Sequence, residues 1–384
     1  MLFSTPQLTR DDHEVLAAID KHRASLRFHL RTPHRWIGTL ARQQRARDVQ
    51  GSNSIEGIHV TQDEALAIDA RQDEPVNVDD DWLAVKGYSD AMAYARILAG
   101  NGEPLPLASL LALHFMVTSH DLSRRPGRLR EGEIFVQEQQ TGRTVYTGPD
   151  ADRVPELLAE LLSQLGDQAP ETHPFIAAAM AHLNLVMIHP FSDGNGRLSR
   201  ILQSWSLYRA DVADADFVSV EEYLGRNTQA YYDVLVQVGR GAWNPDRDAG
   251  PWVEFMLTAH YRQAMTILRR VRTMDAAAMR VDEFVERHGL PARVTAPLEL
   301  SFTGWNLTNA RYREFAEVSA NVASRDLRLL TDAGVIERQG ERRGAWYRPV
   351  AELREVLLRE KAELGEQFDA SVDPYQALRR GHEI

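Results

Sequence analysis

The chain has 384 residues, no cysteine and a formal net charge of -11, enough length for two or three domains with substantial cores. Disulfides and cysteine chemistry are excluded, and the acidic balance argues against a protein that coats nucleic acid non-specifically. There is no opening basic-then-apolar signal and no apolar run near the roughly eighteen residues that span a bilayer, so a soluble, cytoplasmic protein with no membrane partner is expected.

Helical patterns fill 9–99, interrupted by a polar, acidic stretch at 72–81. Within them lies Gly-Ser-Asn-Ser-Ile-Glu-Gly-Ile, where Ser52 and Glu56 fall one turn apart on one helical face and Gly57 is a natural C-terminal cap. Thr61 and Glu64 have the spacing of a capping box for the next helix, and 101–104 marks a turn. The run that follows Pro126 reads as a β-hairpin: Ile134, Phe135 and Val136 on one side, Thr144, Val145 and Tyr146 on the other, around Thr141-Gly142.

The stretch 175–187 is rich in Ala, Leu and Met without a breaker, so it reads as a buried helix that delivers His189 to its C-terminal end. Pro190 blocks continuation. Asp193-Gly194-Asn195-Gly196 then makes a flexible turn before an apolar helical pattern over 198–208. Backbone N–H groups of Gly194, Asn195 and Gly196 at a helix start favour an anion, with phosphate the obvious candidate. Arg197 and Arg200, three apart, are neighbours on one face and carry forks that grip phosphate oxygens. Asp193 offers a hard oxygen suited to Mg2+, and His189 titrates near neutrality and so can accept a hydroxyl proton.

Farther along, 227–238 is helical and contains Tyr231-Tyr232, while 252–274 reads as a long helix. Over 307–347 an amphipathic helix, a turn at Ser319-Ala320, a second helix and a β-ribbon turning around 340–344 follow one another. Basic residues are nearly all arginine, with lysine only at Lys21, Lys86 and Lys361, a bias that looks like a coding preference rather than an RNA-binding signature.

The run His-Pro-Phe-Ser-Asp-Gly-Asn-Gly-Arg-Leu-Ser-Arg, 189–200, resembles the signature of the Fic family at every specified position. The resemblance covers about 40–260. It implies transfer of AMP from ATP to a Ser, Thr or Tyr hydroxyl of a target protein, with self-modification a further possibility. His189 would be the base, and Asp193 would hold Mg2+ on the α and β phosphates. Gly194, Asn195 and Gly196 would cradle the phosphates, Asn195 orienting the α phosphate and Arg197 the β and γ end. Ser52, Glu56 and Gly57 resemble the family's inhibitory motif, in which Glu56 would pair with Arg200 and obstruct the γ-phosphate. Thr144, Val145 and Tyr146 resemble the flap that docks an extended target segment, although Val145 and Tyr146 equally read as packing residues. Tyr232 resembles part of the adenine side. Many relatives carry an Asn about two turns beyond it, where this chain has Val-Gly-Arg-Gly at 238–241, which leaves UTP and GTP open as donors.

The 307–347 segment resembles a winged helix-turn-helix of the kind attached to many Fic proteins. Its second helix would present Ser324, Arg325 and Arg328, with Arg338, Arg342 and Arg343 in the wing, facing DNA. Glu314, Glu317, Asp326, Asp332, Glu337 and Glu341 nearly cancel these charges, so protein docking or dimerisation stays open.

The expected fold is therefore mainly α: a Fic-type helical core with a β-hairpin flap, plus a C-terminal winged helix-turn-helix domain. The expected division is an N-terminal helical region over 1–100 with the inhibitory helix near 40–57, a core over 101–260, a connecting helix over 261–290, the winged helix over 291–350 and a helical tail over 351–384. Family resemblance suggests a homodimer. The leading activity is an autoinhibited protein adenylyltransferase. The alternatives are a nucleotide-sensing DNA-binding regulator and a Fic enzyme that removes AMP or uses another nucleotide donor.

Overall fold

The computed structural model describes residues 1–31, 34–71, 78–137, 141–166, 172–212, 216–341 and 344–384. Most of the polar interruption expected at 72–81, and Arg342 and Arg343, lie outside the described residues. The protein is mainly helical, with 67% of the described residues in helices, and forms two compact units. The first comprises 1–24, 42–264 and 372–384; the second comprises 25–41 and 265–371.

The elements run α1 (Arg10–Arg31), α2 (Ile37–Ile55), α3 (Gln62–Asp69), α4 (Asp80–Gly100), α5 (Leu107–Thr118), β1 (Phe135–Gln137), β2 (Thr144–Thr147), α6 (Val154–Gly166), α7 (Pro174–Ile188) and α8 (Asn195–Arg209). There follow α9 (Glu221–Arg226), α10 (Thr228–Gly239), β3 (Gly241–Ala242), α11 (Gly250–His288), α12 (Thr295–Phe302), α13 (Asn309–Ala316), α14 (Ala320–Asp332), β4 (Ile336–Gln339), β5 (Trp346–Pro349), α15 (Ala351–Gln367) and α16 (Pro374–Arg379).

In the first unit α7 and α8 form the centre. An α7 that is apolar all round must be covered all round, and its residues from Phe175 to Ile188 are buried with few exceptions. Leu185 and Ile188 of α7 join Leu198, Ile201, Leu202 and Trp205 of α8 in one core, with Val85 and Tyr88 of α4, Leu113 and Val117 of α5, and Leu158 and Leu161 of α6. Helix α8 starts three residues before the apolar pattern does, because Gly194 takes a left-handed conformation at the N-cap and Asn195 already turns helically. Thr61 and Glu64 form the capping box of α3.

The hairpin strands pair antiparallel, Phe135 with Thr147 and Val136 with Tyr146. Strand β2 also pairs in parallel with β3, Tyr146 with Gly241 and Thr147 with Ala242, so it is the middle strand of three. A two-strand reading could not contain β3, which is two residues long and has no apolar alternation to announce it.

In the second unit α12, α13 and α14 close a core of Leu298, Tyr312, Leu327, Leu330, Val335 and Ile336, completed by the antiparallel pair β4–β5. Ser319 caps α14, its hydroxyl accepting from the Val322 N–H. Helix α11 is one continuous element through both the long helix and the connecting helix expected from sequence; no Gly or Pro interrupts it between Trp252 and Gly289, where φ turns to +58°. Of the 351–384 segment, α15 falls in the second unit and α16 in the first.

Candidate active site

His189 is the C-cap of α7, held in the left-handed region at φ 51°. Its Nδ1 lies 3.1 Å from the Val186 carbonyl. A carbonyl only accepts, so Nδ1 carries the proton and the Nε2 lone pair is free to act as a base. Burial, first among several influences, lowers the pKa of His189 below its ordinary value, with Arg130 acting in the same direction and Val186, Glu56 and Asp193 opposing it. The ring is therefore neutral around pH 7, the state a general base requires.

The turn after His189 is closed from within. The Asn195 side chain donates to the Phe191 carbonyl at 2.9 Å and accepts from the Phe191 N–H at 3.0 Å. Both polar ends of that amide are thus committed to the loop, and what Asn195 offers a phosphate is its backbone N–H. Asn195, Gly196 and Arg197 head α8, where N–H groups have no intrahelical acceptor and the dipole favours an anion. Gly194, at φ +75°, has no room for a side chain: a Cβ would fall 2.7 Å from Thr118 Cγ2. Asp193 accepts from the Gly194 N–H through Oδ1 at 2.8 Å, and its Oδ2 lies 3.8 Å from Arg197 and 3.7 Å from Arg124.

His114 supports this turn from α5. Its Nδ1 accepts from the Gly127 N–H at 2.9 Å, which leaves Nε2 to donate to the Asp193 carbonyl at 2.9 Å, and its ring stacks on Phe191 at 3.7 Å. Burial lowers its pKa to about 4, so it is neutral. Nothing in the sequence singled it out, since a lone histidine in the apolar run of α5 reads as core. Arg130, also not singled out, donates from Nε to the His189 carbonyl at 2.9 Å.

Arg200 is buried. Its Nε donates to Ser52 Oγ at 2.6 Å, and its Nη2 donates to the Ser52 carbonyl at 3.0 Å and to Glu56 Oε1 at 2.8 Å. Burial, the largest single influence, works against this charge, but Glu56 together with Tyr231 and Tyr88 outweighs it and raises the Arg200 pKa above the ordinary arginine range. Glu56 sits in the turn just past α2, before Gly57 at φ +77°. Its carboxylate lies over the loop: a Cβ on Gly196 would fall 2.5 Å from Glu56 Oε1. Two motif N–H donors, Arg197 Nε and Arg200 Nη1, are buried without a hydrogen-bond partner among the described residues, a costly arrangement unless an anion arrives. Ser52, Glu56, His189, Gly196 and Arg200 are thus brought together from segments far apart in the chain.

The remaining expected residues are placed differently from one another. Tyr231 is buried with its hydroxyl 2.9 Å from His182 Nε2, whereas Tyr232 is 39% exposed and donates to the Ile55 carbonyl at 2.9 Å, next to Glu56. Tyr146 is buried and donates to the Met187 carbonyl at 2.7 Å, so its side chain is tied to the end of α7, two residues before His189. Thr144 is exposed and Val145 half-buried on β2, outside the part of that strand covered by β3.

Asp193 presents a single carboxylate, and no group of three or more His, Cys, Asp or Glu side chains gathers among the described residues. One carboxylate fits Mg2+, which takes the rest of its shell from phosphates and water.

Residues 104–207 match the family described as Fic/DOC. A Nematostella vectensis protein named protein adenylyltransferase Fic is 25% identical over 74% of this chain and 62% of that protein; one of the same name from Aedes aegypti is 32% identical over 46% of this chain and 32% of that protein. The chain thus spans less than two thirds of these curated relatives. A Fic family protein from Desulfovibrio desulfuricans G20 has a similar structure at TM-score 0.59 and 22% identity, covering 90% of this chain and 98% of that one. Fic-1 from C. elegans aligns at TM-score 0.52 and 21% identity, covering 68% and 73%.

Proposed function

Taking the Fic match at 104–207 as premise, we propose that this chain is a protein adenylyltransferase that moves AMP from ATP to a Ser, Thr or Tyr hydroxyl of a target protein, and that Glu56 holds it in check. The observation that carries the reading is the buried Arg200, engaged by Ser52 and Glu56 with one donor left over, beside the open N-terminus of α8.

In the transfer, His189 Nε2 takes the hydroxyl proton as the oxygen attacks the α phosphorus. The bond from that phosphorus to the α,β-bridging oxygen breaks, and pyrophosphate leaves. The N–H groups of Asn195, Gly196 and Arg197 stabilise charge on the phosphates, and Arg197 and Arg200 would face the β and γ end. Asp193 would hold a Mg2+ that neutralises phosphate charge. A γ-phosphate seated against Arg200 and Gly196 meets the Glu56 carboxylate in the same space, so productive binding competes with the ion pair. The β2 residues Thr144, exposed, and Val145, half-buried, offer backbone to an extended target segment.

Incubating full-length Glu56→Gly, alone and with His189→Ala, with Mg2+ and each ribonucleoside triphosphate tests this by intact mass. An AMP adduct dependent on His189 is expected. A UMP or GMP adduct instead would change the donor, and release of AMP from an adenylylated protein by wild type would redirect the reading to AMP removal, with Glu56 aligning a water.

A second reading concerns residues 291–350 as a DNA-contacting winged helix. Two of the acids that nearly cancel its arginines in the sequence are consumed internally. Asp326 is buried against Arg293, with bonds of 2.7 and 2.8 Å, and Glu337 pairs with Arg348 at 2.8 Å. Ser324, Arg325 and Arg328 remain exposed on α14. Duplex binding that weakens with salt and with Arg328→Ala is expected; salt-independent binding, or none, would favour a protein partner.

A further inference from the structure

Arg130, in the segment before β1, is 8% exposed, yet its hydrogen bonds go to backbone carbonyls rather than to a carboxylate. A helix end leaves its last carbonyls without intrahelical partners. At the end of α7 four consecutive carbonyls are taken up by two residues of the hairpin and its approach. Met187 accepts from the Tyr146 hydroxyl at 2.7 Å, Ile188 from Arg130 Nη2 at 3.5 Å, His189 from Arg130 Nε at 2.9 Å, and Pro190 from the Arg130 backbone N–H at 2.9 Å. The other side of the same guanidinium reaches the two feet of the hairpin: Nη1 donates to the Gly132 carbonyl at 2.7 Å, before β1, and Nη2 donates to the Pro149 carbonyl, after β2.

We propose that Arg130 is a positioning residue that clamps the His189 turn to both feet of the β1–β2 hairpin, so that the base and the strand that receives the target are registered as one body. The proposal rests on reading His189 as the base. Its logic is geometric. His189 sits at φ 51°, a conformation disfavoured for a residue with a side chain, and donors fixed on its carbonyl and on its neighbours' carbonyls hold it there. A planar fork can serve carbonyls on both sides at once, which the point-like ammonium of lysine cannot. Transfer chemistry depends on sub-ångström placement of the base relative to the attacked phosphorus, and a target strand registered on the same clamp arrives in that frame. The charged groups that influence the His189 ring are Arg130, Glu56 and Asp193; Arg130 is the one that favours the neutral imidazole.

The test uses full-length protein with labelled histidines, comparing Arg130→Gln and Arg130→Lys with their parent, each in a Glu56→Gly background. Long-range nitrogen–proton spectra read the tautomer and titration midpoint of His189, identified by its loss in His189→Ala. The expected result is a His189 that no longer keeps its proton on Nδ1 in either variant, with the midpoint moving up in Arg130→Gln and less in Arg130→Lys, which keeps the charge. Transfer should fall by at least about tenfold in both, while Mg-ATP affinity changes by less than about threefold, since Arg130 touches none of the phosphate-binding groups. An unchanged tautomer and midpoint in both variants would overturn the proposal, as would Mg-ATP affinity falling in step with the rate. Loss of fold in both variants also overturns it, because Arg130 would then serve the fold and not the pose of the base. No transfer in the Glu56→Gly parent would instead count against the adenylyltransferase reading, and the His189 spectra would still decide this one.

Discussion

Two helix C-terminal turns meet over the start of α8, and they are held in opposite ways. The α7 turn, carrying His189, has its carbonyls taken by Arg130 and Tyr146, its ring fixed by Val186, and the loop beyond it braced by Asn195 and His114. The α2 turn, carrying Glu56, is joined to the site by the ion pair to Arg200, by the Arg200 bonds to Ser52 and by the Tyr232 hydroxyl on Ile55. The Glu56 side chain is 29% exposed, whereas the Arg200 side chain is fully enclosed. The contrast separates two tasks. On the proposed reading a base must not move, and its turn is fixed through many buried bonds to its main chain; an inhibitor must be able to leave, and its carboxylate is held by an ion pair that a triphosphate can replace.

The largest effect expected on this comparison comes from the fixed turn. His189→Ala in the Glu56→Gly background should reduce adduct formation by about 10^2- to 10^4-fold, measured by intact mass over time, while Mg-ATP binding persists. Next is the detachable turn. Glu56→Gly should raise the transfer rate by roughly 10- to 100-fold, the scale of one charge-assisted bond to a buried arginine. The same change strands the Arg200 charge, so without nucleotide the variant should be less stable by about 1–3 kcal/mol, with the partial exposure of Glu56 keeping the cost modest. Mg-ATP should then raise the melting temperature of the variant more than that of wild type. An equal shift in both would break the contrast between the turns.

How much of this could be read beforehand depends on whether partners are contiguous. The 189–200 run carries its base, anion loop and arginines within one stretch, so the residue types alone pointed to the chemistry, and the helical spacing of Ser52 and Glu56 pointed to a shared face. Arg130 and His114 were invisible because their partners are main-chain carbonyl and amide groups of other segments, which leave no mark on residue types. Asn195 illustrates the converse: it was expected to orient a phosphate, yet its side chain is turned inward to hold the loop, while for Tyr146, which the sequence left open between flap and packing, the side chain holds the end of α7. Strand β3 is too short to carry a period. The acids of the second unit were countable in sequence, but that Asp326 and Glu337 are consumed by Arg293 and Arg348 required the fold.

Smaller effects sharpen the comparison. Tyr232→Phe removes one neutral hydrogen bond from the detachable turn and should raise transfer by about two- to tenfold, less than Glu56→Gly; no additional effect is expected once Glu56 is already Gly. The pH profile should be set by the fixed turn. With its pKa lowered chiefly by burial, His189 stays neutral, and therefore basic, below the ordinary histidine value of about 6.5. The acidic limb of the rate should accordingly lie below that value. Removing Glu56 takes away a charge that raises the His189 pKa, so the limb should shift further toward acid in Glu56→Gly.

The most direct test of the central claim is the initial rate of pyrophosphate release from Mg-ATP by full-length wild type and Glu56→Gly, side by side, with Glu56→Gly/His189→Ala as the blank. The account predicts turnover in Glu56→Gly well above wild type and none in the blank. Equal rates in wild type and Glu56→Gly, at matched folded protein, would contradict it.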